Sequence, residues 1–139
     1  MELEQKFSIE LGNLTQAIAT FKEVLAVKES KKYTAIELDL IKNGKIQKFE
    51  YCTELAWKVS KIFLELKTAE IFISPKMVYK NLLLNKFINE QDDHLLFKTL
   101  EDRNKLSHIY KEEEIVNDIF KNLELHLSAF QHLILILNK

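Results

Sequence analysis

Turns are built largely from glycine and proline, and this chain of 139 residues holds two of the first and one of the second. A sandwich or barrel needs many turns, so the shortage argues against both and for long helices. The apolar pattern agrees. Leu3, Phe7, Leu11, Leu14, Ile18, Phe21 and Leu25 recur at steps of three and four, the stripe of a single helix face, and predict a helix over about residues 2–28. Gly12 interrupts it at a cost of about 1 kcal/mol relative to alanine, and reads as a close-packing point or a slight irregularity. After the polar loop "KESKKY", a second helix is predicted from about Thr34 to Leu66. Its inner face runs through Ile46, Phe49, Thr53, Ala56, Ser60 and Phe63, widened by Tyr51, Leu55, Ile62 and Leu66, and "KNGK" at 42–45 predicts a kink or a late start.

Ser74 and Pro75 form a start signal, an N-cap followed by a residue whose missing N–H costs nothing in a first turn, and predict a short helix over about 75–86. "NEQDDHLLFKTLEDRNKLSH" predicts a fourth helix, with acidic residues in the first turn where they suit the dipole. "KEEEIVNDIFKNLELHLSAFQHLILILNK" predicts a fifth, with Ile115, Ile119, Leu123, Leu127, Phe130, Ile134 and Leu137 on one side. Its "LILIL" fills more than one face, as core or as a self-association surface. No repeat, low-complexity run or linker divides the chain. The expectation is one all-α domain over 1–139, an antiparallel up-and-down four-helix bundle with one extra short helix.

The charges nearly balance, 20 basic against 21 acidic residues, so any contact with nucleic acid has to come from a local cluster. Cys52 is the single cysteine, and no Cys/His spacing resembles a zinc site. No apolar run approaches the ~20 residues of a membrane span, and "MELEQKFSIELGN" is amphipathic and charged rather than a signal peptide. The expectation is a soluble, reduced, cytoplasmic protein that does not engage a membrane. Glycine-rich phosphate loops, HExxH, a nucleophile elbow and an EF-hand loop are all missing, so neither a metal nor a cofactor is expected.

Three groups of polar residues carry chemistry. Glu50, Glu54 and Lys58 stand at successive four-residue steps beside Trp57: either a helix-stabilising ladder, or a place where Glu54 or Lys58 lines a partner surface next to a site. His94, His126 and His132 lack ligand spacing and read as surface or satisfied interior histidines. The densest group is "EDRNKLSHIY", residues 101–110. Asn104 and His108 are four apart on one face, and Arg103 pairs with Ser107 on the next. Arg103 to His108 is a five-residue step, about 140° round a helix, so the two share a pocket only if it is broad or the helix frays. Arginine offers a fork for phosphate oxygens, histidine gives or takes a proton near neutrality, and asparagine can hold a phosphate oxygen or a ring nitrogen. The spacing leaves two readings open, helix end or site.

Read together, "GKIQKFEYCTELAWK" (44–58) and "DRNKLSHIY" (102–110) closely resemble the nucleotidyltransferase substrate-binding family, a branch of the HEPN superfamily. Gln47, Phe49, Glu50, Glu54, Leu55, Trp57 and Lys58 fall in place, as do Ser74, Pro75, Arg103, Asn104, Ser107, His108 and Tyr110. The chief departure is "HLLFKTLED", where relatives often carry a tryptophan. The resemblance implies a helical bundle like the helical domain of kanamycin nucleotidyltransferase, a homodimer, and a minimal nucleotidyltransferase as partner. It implies two roles. In one, the chain is a metal-independent ribonuclease toxin with Arg103, Asn104 and His108 as the catalytic set, silenced by AMP added to Tyr110. In the other, it is a non-catalytic subunit whose Arg103 and His108 line a groove for RNA or nucleotide substrate. In either role Ser107, Glu54, Lys58 and Trp57 support the site or face the partner.

Overall fold

The computed structural model describes residues 1–108 and 113–139, with the backbone alone for Ser107 and His108. The described residues form six helices: α1 (Leu3–Leu25), α2 (Ala35–Thr68), α3 (Pro75–Leu84), α4 (Glu90–His108), α5 (Glu113–Lys121) and α6 (Leu123–Leu137). α2 is the axis, with α1, α3, α4 and α6 all packed on it. α6 closes the bundle against α1 and α4, and α5 lies on α4 and α6. This is the expected helical bundle, with α3 as its short extra helix.

The start of α2 follows from its sequence. Thr34 Oγ1 accepts from the Glu37 N–H at 3.1 Å, and the Thr34 N–H donates to Glu37 Oε1 at 2.9 Å, a closed capping box. Ser74 caps α3 as expected, accepting from the Met77 N–H at 3.3 Å. The kink anticipated at "KNGK" is not found; α2 runs unbroken through Gly44. Side chains pin that turn. Asn43 bonds to Asp39 four residues back, Lys42 to Asn117 of α5, and buried Lys45 donates to the Val27 carbonyl at 2.6 Å, just beyond α1. Both ammonium groups also stand 5.6 Å from the Phe120 ring.

The close-packing reading of Gly12 is also wrong, since a Cβ there, or at Gly44, would meet nothing within 4 Å. Both glycines therefore carry their helix-propensity cost with no packing gain to offset it. Gly12→Ala and Gly44→Ala should each raise stability by about 1 kcal/mol, seen as a higher urea midpoint at unchanged slope. A midpoint that stays put or falls would show packing that this geometry does not contain.

The C-terminal helix, expected as one rod, divides at Asn122. The Asn122 N–H closes a tight three-residue turn onto the Ile119 carbonyl at 2.9 Å, and its side chain turns away to donate to Asp102 Oδ2 at 3.2 Å. The side-chain bond ties this turn to α4, while the Asn122 backbone keeps its own bonds to Ile119 and His126.

In the core, Phe21 of α1, Phe49 of α2 and Phe130 of α6 meet with ring centroids 6.2–6.4 Å apart, within the range of favourable aromatic contact. All six positions of the expected inner face of α2 are buried, but Tyr51 is 55% exposed. It stands about 200° round the helix from Phe49, outside the covered arc. Of "LILIL", Leu133 and Leu137 enter the core, while Leu135 is left 64% exposed. Burial pushes the Cys52 thiol up to about 12, with Lys48 offsetting part of the shift, so it packs as a small protonated apolar group. No helix among the described residues is long and apolar enough to cross a membrane.

Candidate functional site

Helices α2 and α4 pack together with the start of α3 beside them, and a cleft of about 240 Å³ opens where the three meet. α2 lends Thr53, Glu54 and Trp57, one turn of its surface. α4 lends Leu100, Arg103 and Asn104, which share a face because they are spaced by three and four. Ser74, Pro75 and Lys76 close the third side. The floor is apolar and the rim charged, which suits a ligand with one flat or greasy part and one anionic part.

Glu54 organises the rim. Its Oε2 lies 3.1 Å from Arg103 Nη2, and its Oε1 lies 3.1 Å from Lys58 Nζ. The ladder is present as the Glu54–Lys58 i,i+4 pair, and Glu54 is in addition a strut to the arginine of the other helix. Arg103 and Glu54 are each about one-third exposed, so water screens the pair and its worth to stability is small. Its effect is to fix the direction of the guanidinium. Beneath, Tyr79 is 2% exposed, and its hydroxyl has no hydrogen-bond partner among the described residues. Burial first and the Glu54 carboxylate second raise its pKa, so it stays a neutral phenol.

Asp102, next to Arg103, faces the other way. It is 3% exposed, and its Oδ2 accepts from His126 Nε2 at 2.6 Å and from Asn122 Nδ2 at 3.2 Å. Burial pushes this carboxyl up, but the bonds from His126 and Asn122, the attraction of His126 and that of Lys105 outweigh it and leave the pKa below its ordinary value. The carboxylate is thus ionised and acceptor-only, which places the proton on His126 Nε2. The imidazole also stacks on Phe49 at 4.7 Å. Of the two readings, surface or satisfied interior histidine, His126 is interior and satisfied at Nε2 only; its buried Nδ1 has no hydrogen-bond partner among the described residues. Asp102 carried a signal that went unused: it falls on the stripe Leu95, Thr99, Leu106 of α4, where a carboxylate needs a buried partner.

Of the anticipated site residues, Arg103, Asn104, Glu54 and Trp57 come together in the cleft, with Lys58 joined through Glu54. The side chains of Ser107 and His108, and all of Tyr110, lie outside the described residues. Lys76, Leu100 and Thr53 join the cleft without having stood out in the sequence. His94 and His132 are exposed, and His132 Nδ1 lies 3.4 Å from Asp92. Among the described residues, no group of three or more His, Cys, Asp or Glu is placed to hold a metal ion.

The family described as nucleotidyltransferase substrate binding protein like matches residues 9–139. No curated protein matches the chain in sequence. Among solved structures, a protein from Thermus thermophilus is similar at 24% identity and a TM-score of 0.76, covering 91% of this chain and 99% of its own. A tri-AMPylated Shewanella oneidensis HEPN toxin, in complex with MNT antitoxin, is similar at 17% identity and 0.75, covering 95% and 96%. A further toxin–antitoxin structure, with AMP-PNP, is similar at 16% identity and 0.73, covering 94% and 96%. At these identities the likeness is one of fold.

Proposed function

The chain belongs to the nucleotidyltransferase substrate binding protein like family, and from that premise we propose that it is the HEPN-type subunit of a cytoplasmic two-component system, a metal-independent ribonuclease toxin held in check by a minimal nucleotidyltransferase. The observation that carries this reading is the Glu54–Arg103 contact, which aims a forked cation into a cleft shared with Asn104. The similar fold of a HEPN toxin in complex with an antitoxin supports it.

Cleavage proceeds by attack of a ribose 2′-oxygen on the adjacent phosphorus, with departure of the 5′-oxygen. The products are a 2′,3′-cyclic phosphate and a 5′-hydroxyl end. A base takes the proton from the 2′-OH, an acid gives one to the leaving oxygen, and a cation steadies the charge that builds on the phosphoryl oxygens. Arg103 is that cation, and Asn104 orients the phosphate beside it. The α4 backbone continues through His108, the acid–base residue. One chain offers one such histidine, so a homodimer joining two α4 helices would complete the pair. Tyr110 is the silencing position: its phenolic oxygen attacks the α-phosphorus of ATP, AMP is transferred, and pyrophosphate leaves. Bulk and negative charge then stand at the mouth of the site.

The test is degradation of RNA by the purified protein in EDTA, compared with Arg103→Ala and His108→Ala. Wild type equally inactive with the variants on every RNA tried would end the ribonuclease reading. Incubation with the neighbouring nucleotidyltransferase and ATP should add the mass of at least one AMP, and Tyr110→Phe should abolish that gain; a gain undiminished in Tyr110→Phe removes the silencing role.

The family's own description, a substrate binding protein, favours a second reading, a non-catalytic subunit that binds RNA or nucleotide for the nucleotidyltransferase. Binding without cleavage in the same experiment would select it.

A further inference from the structure

The cleft between α2, α3 and α4 has a shape and lining that the cleavage chemistry does not use. Phosphate capture needs cations on an open surface. Here an indole (Trp57), an apolar floor (Leu100 and Pro75) and a ring of polar groups enclose about 240 Å³ beside the arginine. That is below the roughly 300–1,000 Å³ of pockets for drug-sized molecules, and too small for a duplex groove to enter. Proteins that read unpaired RNA meet each base in this way, with an aromatic ring or apolar wall for its face and fixed hydrogen-bonding groups for its edge.

We propose that this cleft is a nucleobase pocket, which seats one unpaired base of the RNA while the adjoining phosphate lies against Arg103 and Lys76. The inference rests on the ribonuclease reading for its substrate but not for its geometry. The edge chemistry narrows the base further. Glu54 commits one bond of each carboxylate oxygen to a cation, to Arg103 and to Lys58 at 3.1 Å, and a carboxylate has about four acceptor positions. The free positions accept hydrogen bonds and give none. A base with an exocyclic amino group, adenine, cytosine or guanine, satisfies them; uracil offers only its N3–H, between two carbonyl oxygens that face the carboxylate unfavourably, and binds more weakly. Lys76, which closes the third side of the cleft with its ammonium 5.6 Å from the Phe97 ring, supplies positive charge there.

Trp57 is the single tryptophan of the chain; it lines this cleft and also a groove beside Lys61 and Ile62, so quenching of its emission is assigned to this cleft where Lys76→Glu weakens it. The experiment titrates the full-length protein with AMP, CMP, UMP and ribose 5-phosphate while following that emission. Saturable quenching by AMP and CMP is expected, about tenfold weaker with UMP, and none with ribose 5-phosphate. Lys76→Glu, at an exposed position, should weaken AMP about tenfold with the circular dichroism of the protein unchanged. Ribose 5-phosphate quenching as tightly as AMP would overturn the proposal, because the site would then read phosphate only. UMP binding as tightly as AMP would overturn the role of Glu54. RNA cleavage by a protein whose Trp57 emission no nucleotide alters would sink the pocket and leave the ribonuclease reading standing. Quenching by AMP in a protein that cleaves no RNA would do the reverse.

Discussion

Asp102→Ala should destabilise the domain by about 3 kcal/mol, a loss at which the cost of an orphaned buried polar group meets that of a broken buried ion pair. The substitution strips the acceptor from His126 and Asn122 together and leaves an imidazole at 0% exposure among phenylalanines. For a domain of this size the melting temperature should fall by roughly 10 °C. Asp102→Asn is the informative companion. Both bonds arrive at one oxygen, Oδ2, so an amide oxygen in the same place can still accept both. Its cost should be about 1 kcal/mol, the difference between a charge-assisted and a neutral bond. Equal losses in the two variants would show that charge, not acceptor geometry, is what matters. The pH dependence has a definite sign. The folded carboxyl lies below its ordinary 3.8, so its contribution is complete above that value and is lost as pH falls through the folded pKa. Acid denaturation of wild type should therefore steepen below about pH 3.8, and Asp102→Asn should remove that part of the curve.

His108→Ala should reduce RNA cleavage by about 10²–10⁴-fold, the range a positioned acid–base group supplies. Arg103→Ala should cost activity on a similar scale through loss of the phosphate clamp. The loss in Arg103→Ala is not to be confused with unfolding. The Glu54–Arg103 pair is about one-third exposed on both sides, so removing it costs roughly 1 kcal/mol or less, and circular dichroism should be unchanged. A pair of imidazoles in a dimer predicts a bell-shaped rate profile with pH, and mixing inactive His108→Ala with wild-type chains should poison the mixed dimers. Cleavage in His108→Ala at more than about a tenth of the wild-type rate would remove this residue from the mechanism.

The sequence disclosed whatever depends on period. The stripe from Leu3 to Leu25 and the inner face from Ile46 to Phe63 are properties of one helix, and each is readable without knowing its neighbours. The break at Asn122 was not readable, because the carboxylate that holds its side chain is on a different helix. For the same reason, a polar amino acid on an apolar stripe announces that Asp102 has a buried partner but not that it is His126. Gly12 and Gly44 misled in the opposite direction, since an apparent interruption proved to have nothing pressing against it. The site was legible as two blocks, one around Glu54 and one around Arg103, and spacing within the second could not place its residues in a common pocket. Contact between the blocks is what makes them one site. Lys76 and Leu100 escaped notice because a lysine and a leucine on amphipathic helices carry no signal of their own.

Arg103 carries its own counterion in Glu54. A bare arginine meeting RNA sheds mobile salt ions and gains entropy from their release, which is why most such contacts weaken steeply as salt is added. On the proposed function, an incoming phosphate would exchange places with, or share the guanidinium with, an anion that is tethered to the protein and cannot diffuse away. Binding at this position is thereby buffered against ionic strength. Stray polyanions that offer charge and nothing else gain little from displacing a carboxylate already in place.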